Sequence, residues 1–201
     1  MSEPIDITDG RRQRSEDSKQ KIVSAMLELV REGNIAPTAE LVAQRANVGL
    51  RTVFRRFKDM ESLYAEMSVA ISEKIAPLIR EQPASANWTS NFAHLVERRL
   101  KVYEVIRPYR VAADVLKFQS SILLSHHLDI VRAEREKLLS VLPVELKKDG
   151  SLLEGLEAVL SFDMWNQLRN DQKLPASEAT DVILKIVSRL LPEARLAESA
   201  S

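Results

Sequence analysis

Residues 21–64 read KIVSAMLELVREGNIAPTAELVAQRANVGLRTVFRRFKDMESLY, and this stretch decides the fold. Ile22, Met26 and Leu29, flanked by Val23, Leu27 and Val30, recur at helical spacing and predict a first helix over about 17–31. Gly33 and Asn34 stop it, because both tolerate the left-handed backbone that ends helices. Pro37 keeps the residue before it extended. Thr38 follows as a cap, its hydroxyl placed to accept a bond from an orphan N–H in the first turn of a helix over 39–46. Asn47, Val48 and Gly49 form a tight turn into a third helix over about 50–57. Two short helices joined by such a turn make a helix-turn-helix.

Each part of the motif has a physical reason. Ala43 and Ala46 are small, which lets the third helix cross the second closely. Asn47 falls where the second helix must end in a left-handed residue, a place for glycine or, next best, asparagine. Val48 is apolar in the turn and plugs a small core. Val53 and Phe57 stand four apart and face inward with Leu41 and Val42. Leu50, Arg51, Thr52, Phe54, Arg55 and Arg56 are left for the outer face. Three arginines on so short a helix make a dense positive surface, and arginine reads guanine bidentately in the major groove.

Here the sequence resembles the DNA-binding domain of the TetR family of bacterial regulators. The matching residues are Gly33, Thr38, Val42, Ala43, Ala46, Val48, Thr52, Val53, Phe54, Phe57, Glu61 and Leu63. The match has no insertion between Thr38 and Leu63. It departs from the family pattern at Asn47 in place of the turn glycine and at Gly49 in place of a capping serine. It departs again at Arg51 in place of a small residue, at Phe54 in place of tyrosine, and at Met60 in place of lysine. The resemblance implies phosphate contacts from Thr38, Thr52 and Arg56, and base readout from Arg51 and Arg55. Leu50 and Lys58 belong to the same DNA-binding set. Phe54 packs on a thymine methyl or the sugar backbone in this reading, or else belongs to the core. Arg11, Arg12 and Arg14 form a mobile basic arm that reaches the minor groove, or else a solvated tail. Arg55 and Arg56 point about 100° apart, so one of them alone can reach DNA.

The charge distribution agrees. The 201 residues carry 29 bases and 29 acids, yet residues 11–60 hold eleven Lys and Arg against six Asp and Glu, a surplus of five. One segment suited to a polyanion and another indifferent to it give that asymmetry, as does chance clustering on a solvated surface. There is no cysteine, so disulfides and thiolate metal sites are excluded. No apolar run reaches the roughly 18–20 residues of a bilayer span. Residues 1–10 are acidic without an apolar segment, unlike a secretory signal. A cytoplasmic protein that meets no membrane is the expectation.

Beyond residue 60 the sequence reads as more helices: 60–81 with Pro77 bending its far end, 89–105, 109–116 opened by Pro108, 120–142, 151–170 and 176–191. The expected fold class is therefore all-α, an N-terminal helix-turn-helix DNA-binding domain followed by a helical ligand-binding and dimerisation domain. The expected boundaries are an arm over 1–15, a DNA-binding domain over 16–64 and an effector and dimerisation domain over 65–195. Wide apolar faces near the C-terminus nominate Leu156, Leu160, Val182, Ile183, Ile186, Val187 and Leu190 for a homodimer interface, or else for a monomer core. The resemblance also implies a pocket for an unidentified small-molecule effector, with Trp88, Tyr103, Tyr109, Phe118, Phe162 and Trp165 as candidates that a plain core would equally use. No metal, cofactor or catalytic residue is expected: the Glu-x-x-His pairing of di-iron bundles, the phosphate-binding glycine loops and a Ser/His/acid set are all missing. The expected function is a transcriptional regulator, a repressor by the family's common mode, that binds a palindromic site in double-stranded DNA. The alternative is a helical adaptor that binds protein through the same apolar faces.

Overall fold

The computed structural model describes residues 7–80 and 85–194, with side chains over 13–80 and 85–193. The described residues form helices and turns, with no strand. In chain order the helices are α1 (Ile7–Arg31), α2 (Ala39–Arg45), α3 (Leu50–Arg56), α4 (Met60–Arg80), α5 (Trp88–Leu116) and α6 (Ser121–Val141). They continue with α7 (Gly150–Val159), α8 (Phe162–Asn166) and α9 (Ala176–Leu190). This is the all-α architecture the periodicity predicts.

The turns close as their residues dictate. After α1, Gly33 adopts a φ of +98°. Its N–H donates to the Val30 carbonyl and that of Asn34 to Leu29, each at 3.0 Å, so the last carbonyls of the helix are satisfied. After α2, Asn47 takes the same role at φ 52°. The Asn47 N–H donates to Gln44 at 3.2 Å and that of Val48 to Ala43 at 3.0 Å. Thr38 caps α2 by accepting from the Leu41 N–H at 3.3 Å. Gly49 precedes α3 without a side-chain cap.

Two packing units share the chain. One comprises Met1–Lys74 and Pro108–His127, the other Ile75–Arg107 and Leu128–Ser201. The first contains the stretch 16–64 together with part of α4, the end of α5 and the start of α6. Its core joins Ile22, Met26, Val42, Val53, Phe57 and Leu63 to Tyr109 and Ala112 of α5. Within the same unit Glu61, at the start of α4, accepts the Ile122 N–H in the first turn of α6 at 3.4 Å. Ser120 caps α6 by accepting from Leu123 at 3.2 Å.

Helix boundaries differ from the sequence reading in three places. The backbone is helical from Ile7, ten residues ahead of the expected start at 17. After Ile7, residues 8–14 lack an apolar side chain but contain no helix breaker beyond Gly10, and local pairs such as Gln13 to Asp17 at 2.9 Å extend the helix. The described part of the expected arm is thus a helix, and the side chains of Arg11 and Arg12 lie outside the described residues. Pro108 does not open a new helix but lies inside α5. A proline removes one backbone bond, and buried residues on both sides, Tyr103 and Ile106 before it and Tyr109 and Ala112 after it, offset that loss. What changes at Pro108 is the packing unit. The stretch 151–170 is two helices, because Leu160 leaves helical geometry and Ser161 caps α8 by accepting from Met164 at 3.1 Å.

The left-handed turn at Asn47 gives a direct test. Asn47→Ala should destabilise the protein by roughly 1 kcal/mol, since a Cβ without a compensating side-chain bond is strained there. Asn47→Gly should be neutral or stabilising. Urea unfolding followed by circular dichroism measures both, and equal stability of the two variants would contradict the assigned turn.

Candidate nucleic-acid interface

α3 has seven residues, and burial divides them sharply. Val53 and, just after the helix, Phe57 are buried. Leu50, Arg51, Phe54 and Arg55 are exposed. Leu50 and Phe54 stand one turn apart, as do Arg51 and Arg55, so the open face is two adjacent ridges, one apolar and one cationic. Phe54 is 52% exposed, which places it outside the core. Thr52 is half-buried at the edge of this face, and Lys58 is exposed beyond its end.

Arg56 departs from the outward set. It is half-buried, and its guanidinium donates to the Ser15 hydroxyl of α1. Its position on α3 turns it from the open ridge toward α1, where it fastens one helix to the other. Ser15 is a residue that the sequence reading missed, because a serine in a polar helix carries no signal of a partner 41 positions away. Lys19, one turn further along α1, pairs with Glu66 of α4 at 2.7 Å. Arg45 of α2 forms a two-pronged pair with Glu32, at 2.9 and 2.7 Å. That pair holds the Glu32 carboxyl below its ordinary range and raises the arginine. These contacts hold the helix-turn-helix from three sides and leave Arg51 and Arg55 presented. Thr38 is exposed at the N-terminus of α2, and Arg14 is exposed on α1.

The six aromatic pocket candidates divide between the two units. Tyr109 packs into the core of the first unit, where the Lys74 ammonium lies 5.9 Å from its ring centroid. Phe118, in the same unit, is 81% exposed, with Lys117 at 5.5 Å over its ring. In the second unit Tyr103 and Phe162 are buried against each other edge to face, with centroids 5.5 Å apart. The Tyr103 hydroxyl lies 2.9 Å from both the Glu134 carboxylate and the Leu160 carbonyl. The buried Arg99 guanidinium donates to the Glu134 carbonyl at 2.7 Å. Tyr103 thus serves the core. Trp88 is half-buried at the start of α5.

Trp165 alone of the six lines the cavity of about 570 Å³ in this unit, walled by Leu100 and Glu104 of α5 and by Ala176, Thr180 and Leu184 of α9. Glu104 receives two bonds from Arg169, at 3.0 and 2.7 Å. Those bonds, more than any other cause, hold its carboxyl below the ordinary range against partial burial.

The nominated dimer residues also separate. Leu156, Leu160, Ile183 and Val187 have no exposed surface, because α9 packs its deepest stripe against α7. They have nothing to lose to a partner and belong to the core. Val182 and Ile186 are half-buried and Leu190 is exposed, one stripe at four-residue spacing.

Among the described residues no three of His, Cys, Asp and Glu converge as a metal site. No described helix is long and apolar enough to cross a membrane.

No protein-family model matches the sequence, and no curated protein matches it. A solved structure does: a transcriptional regulator from Rhodococcus sp. Rha1, with a TM-score of 0.67 and 14% identity, over 87% of this chain and 96% of that one. The chain thus has the all-helical fold of that regulator.

The Glu104–Arg169 pair predicts a pH dependence. Folding lowers this carboxyl, so its contribution is present at neutral pH and is lost as pH falls through the lowered range. Urea midpoints between neutral and acidic pH should therefore fall more steeply for the wild type than for Glu104→Gln. Parallel curves would remove this pair from the acid response.

Proposed function

We propose that this chain is a ligand-responsive transcriptional regulator of the TetR type, acting in the cytoplasm as a homodimer on a palindromic operator. The observation that carries the reading is the open face of α3. Arg51 and Arg55 stand exposed on a helix whose other side is locked into the core of a helix-turn-helix. A buried scaffold that presents two cations and two apolar side chains suits the major groove, where arginine pairs with guanine and an apolar group meets the thymine methyl. The basic surplus in residues 11–60 supports it by supplying sequence-independent attraction to phosphate. The shared fold with a protein described as a transcriptional regulator adds to it.

In this reading Arg51 and Arg55 read bases, Leu50 and Phe54 make apolar contacts, and Thr38, Thr52 and Lys58 position the head on the backbone. Arg56 acts chiefly through its bond to Ser15, and Arg14 lies beside the groove on the helical extension of α1. One head reads few base pairs, so a two-fold pair is the economical arrangement. The stripe of Val182, Ile186 and Leu190 is the surface of α9 that remains for the partner. Repression, relieved by a small molecule, is the mode that the family resemblance implies.

Selection of bound sequences from a random DNA pool tests the reading. It should return a palindrome or near-palindrome bound with a steep salt slope, on the order of several released counterions. Arg51→Ala should relax preference at one position per half-site by roughly 1–3 kcal/mol. Failure to enrich any sequence, with weak binding at moderate salt, would leave the helix-turn-helix as a scaffold and favour a protein-binding adaptor.

A further inference from the structure

Within the first unit, α1, α3 and α4 border an open polar groove of about 280 Å³, lined among others by Ser15, Glu16, Lys19, Arg55, Arg56 and Glu66. Its acids are engaged. Glu66 pairs with Lys19 at 2.7 Å, and Glu16 accepts from the Gln20 amide at 3.1 Å. Among the described residues no carboxylate is bonded to Arg55 or Arg56. The groove therefore holds two cations that have not spent their charge on the protein.

The bond between Arg56 and Ser15 leaves donors over. A guanidinium carries five N–H groups. Arg56 gives one, from Nη1, to the Ser15 hydroxyl, and its Nε is buried without a partner. Its other terminal nitrogen, Nη2, bonds no described residue and is not buried. Ser15 accepts from Arg56, so its own proton remains to be donated, and no described residue takes it. A hydroxyl that accepts from a cation is also polarised into a better donor.

The groove adjoins the recognition face, because Arg55 lines the one and is exposed on the other. Arg56 lies about 100° around α3 from Arg55. Two side chains so divided cannot both meet base edges, but they can meet the floor and the wall of one groove. A helix with its side chains is about 10–12 Å across, and the major groove is about 12 Å wide. A side chain on the flank of the helix therefore faces sugar and phosphate.

From this we infer that Ser15 and Arg56 form a clamp for one DNA backbone phosphate per half-site, on the wall of the groove whose floor Arg55 reads. The clamp rests on the regulator reading above. Arg56 donates from Nη2 and Ser15 from its hydroxyl, and the bond between them aims both before DNA arrives. Charge-assisted donors to phosphate are the strong class of hydrogen bond. Ser15 is thereby a DNA contact as well as the anchor of Arg56.

The test uses the full chain and a duplex bearing the selected site, with single backbone linkages replaced in turn by neutral methylphosphonates. Wild-type affinity should fall roughly tenfold at one linkage per half-site, beside the base pair whose preference Arg55→Ala relaxes. Ser15→Ala should weaken binding to the unmodified duplex about three- to tenfold, and the same methylphosphonate should then cost it no more than about twofold. Ser15→Thr keeps the hydroxyl and should restore both values. Arg56→Gln keeps an amide donor for Ser15 without the charge, so the salt slope should fall by about one counterion per half-site. A wild type indifferent to every linkage beside that base pair overturns the clamp. So does a Ser15→Ala variant that weakens every duplex by the same factor, or an unchanged salt slope in Arg56→Gln; the pair is then a tie between two helices. The wild-type scan needs no variant, so a folding defect in any of them leaves the decision intact. A pool that yields no selected site sinks the regulator reading and the clamp together. A selected site without a sensitive linkage sinks the clamp alone.

Discussion

α2 and α3 are seven residues each, and helices that short are not stable by themselves in water. Their existence depends on burial. Val42 and Ala43 from α2, Val53 from α3 and Phe57 just beyond it meet Ile22, Met26 and Leu29 of α1 in one core. A fully buried Val or Phe contributes about 1.5–3 kcal/mol, so a few such residues outweigh the cost of nucleating two helices of about two turns each. The same burial fixes rotation. Once Val53 and Phe57 point inward, Arg51 and Arg55 have no direction left but outward. The recognition face is a consequence of the core beneath it.

Polar contacts then hold that small core in register. The Arg56 to Ser15 bond and the Lys19–Glu66 pair join α3 and α4 to α1, and the Arg45–Glu32 pair joins α2 to the turn at the end of α1. Exposed ion pairs of this kind contribute little stability each. Their value is in direction, since each fixes one helix against α1 at a different height. The core extends to Tyr109 and Ala112 of α5, and Glu61 meets the first turn of α6. The helix-turn-helix therefore belongs to a unit that includes a second, distant stretch of chain.

In the second unit the aromatic side chains are spent on structure. Tyr103 and Phe162 pack edge to face, and Arg99 and Tyr103 satisfy carbonyls and a carboxylate beside them. The cavity is built instead from residues of ordinary appearance on α5 and α9, with Trp165 as its one aromatic wall. Aromatic content is a poor guide to a pocket because large rings fill space efficiently. A cavity arises where small residues such as Ala93 and Ala176 leave room, and that shows only once two helices are set side by side.

The sequence by itself determined whatever depends on neighbours along the chain. The all-α class, the cap at Thr38, the left-handed residues Gly33 and Asn47, and the inward Val53 and Phe57 all follow from local periodicity and turn chemistry. They lie within one or two turns of the residues that cause them. Tertiary structure decided what depends on distant partners. It turned Arg56 toward Ser15 and carried α5 through Pro108. It also divided the apolar face of α9, burying Ile183 and Val187 and leaving Val182, Ile186 and Leu190 toward the surface. Adjacent stripes on a helix differ by about 100° of rotation and hardly at all in composition. Only the position of α7 against α9 selects which one is core.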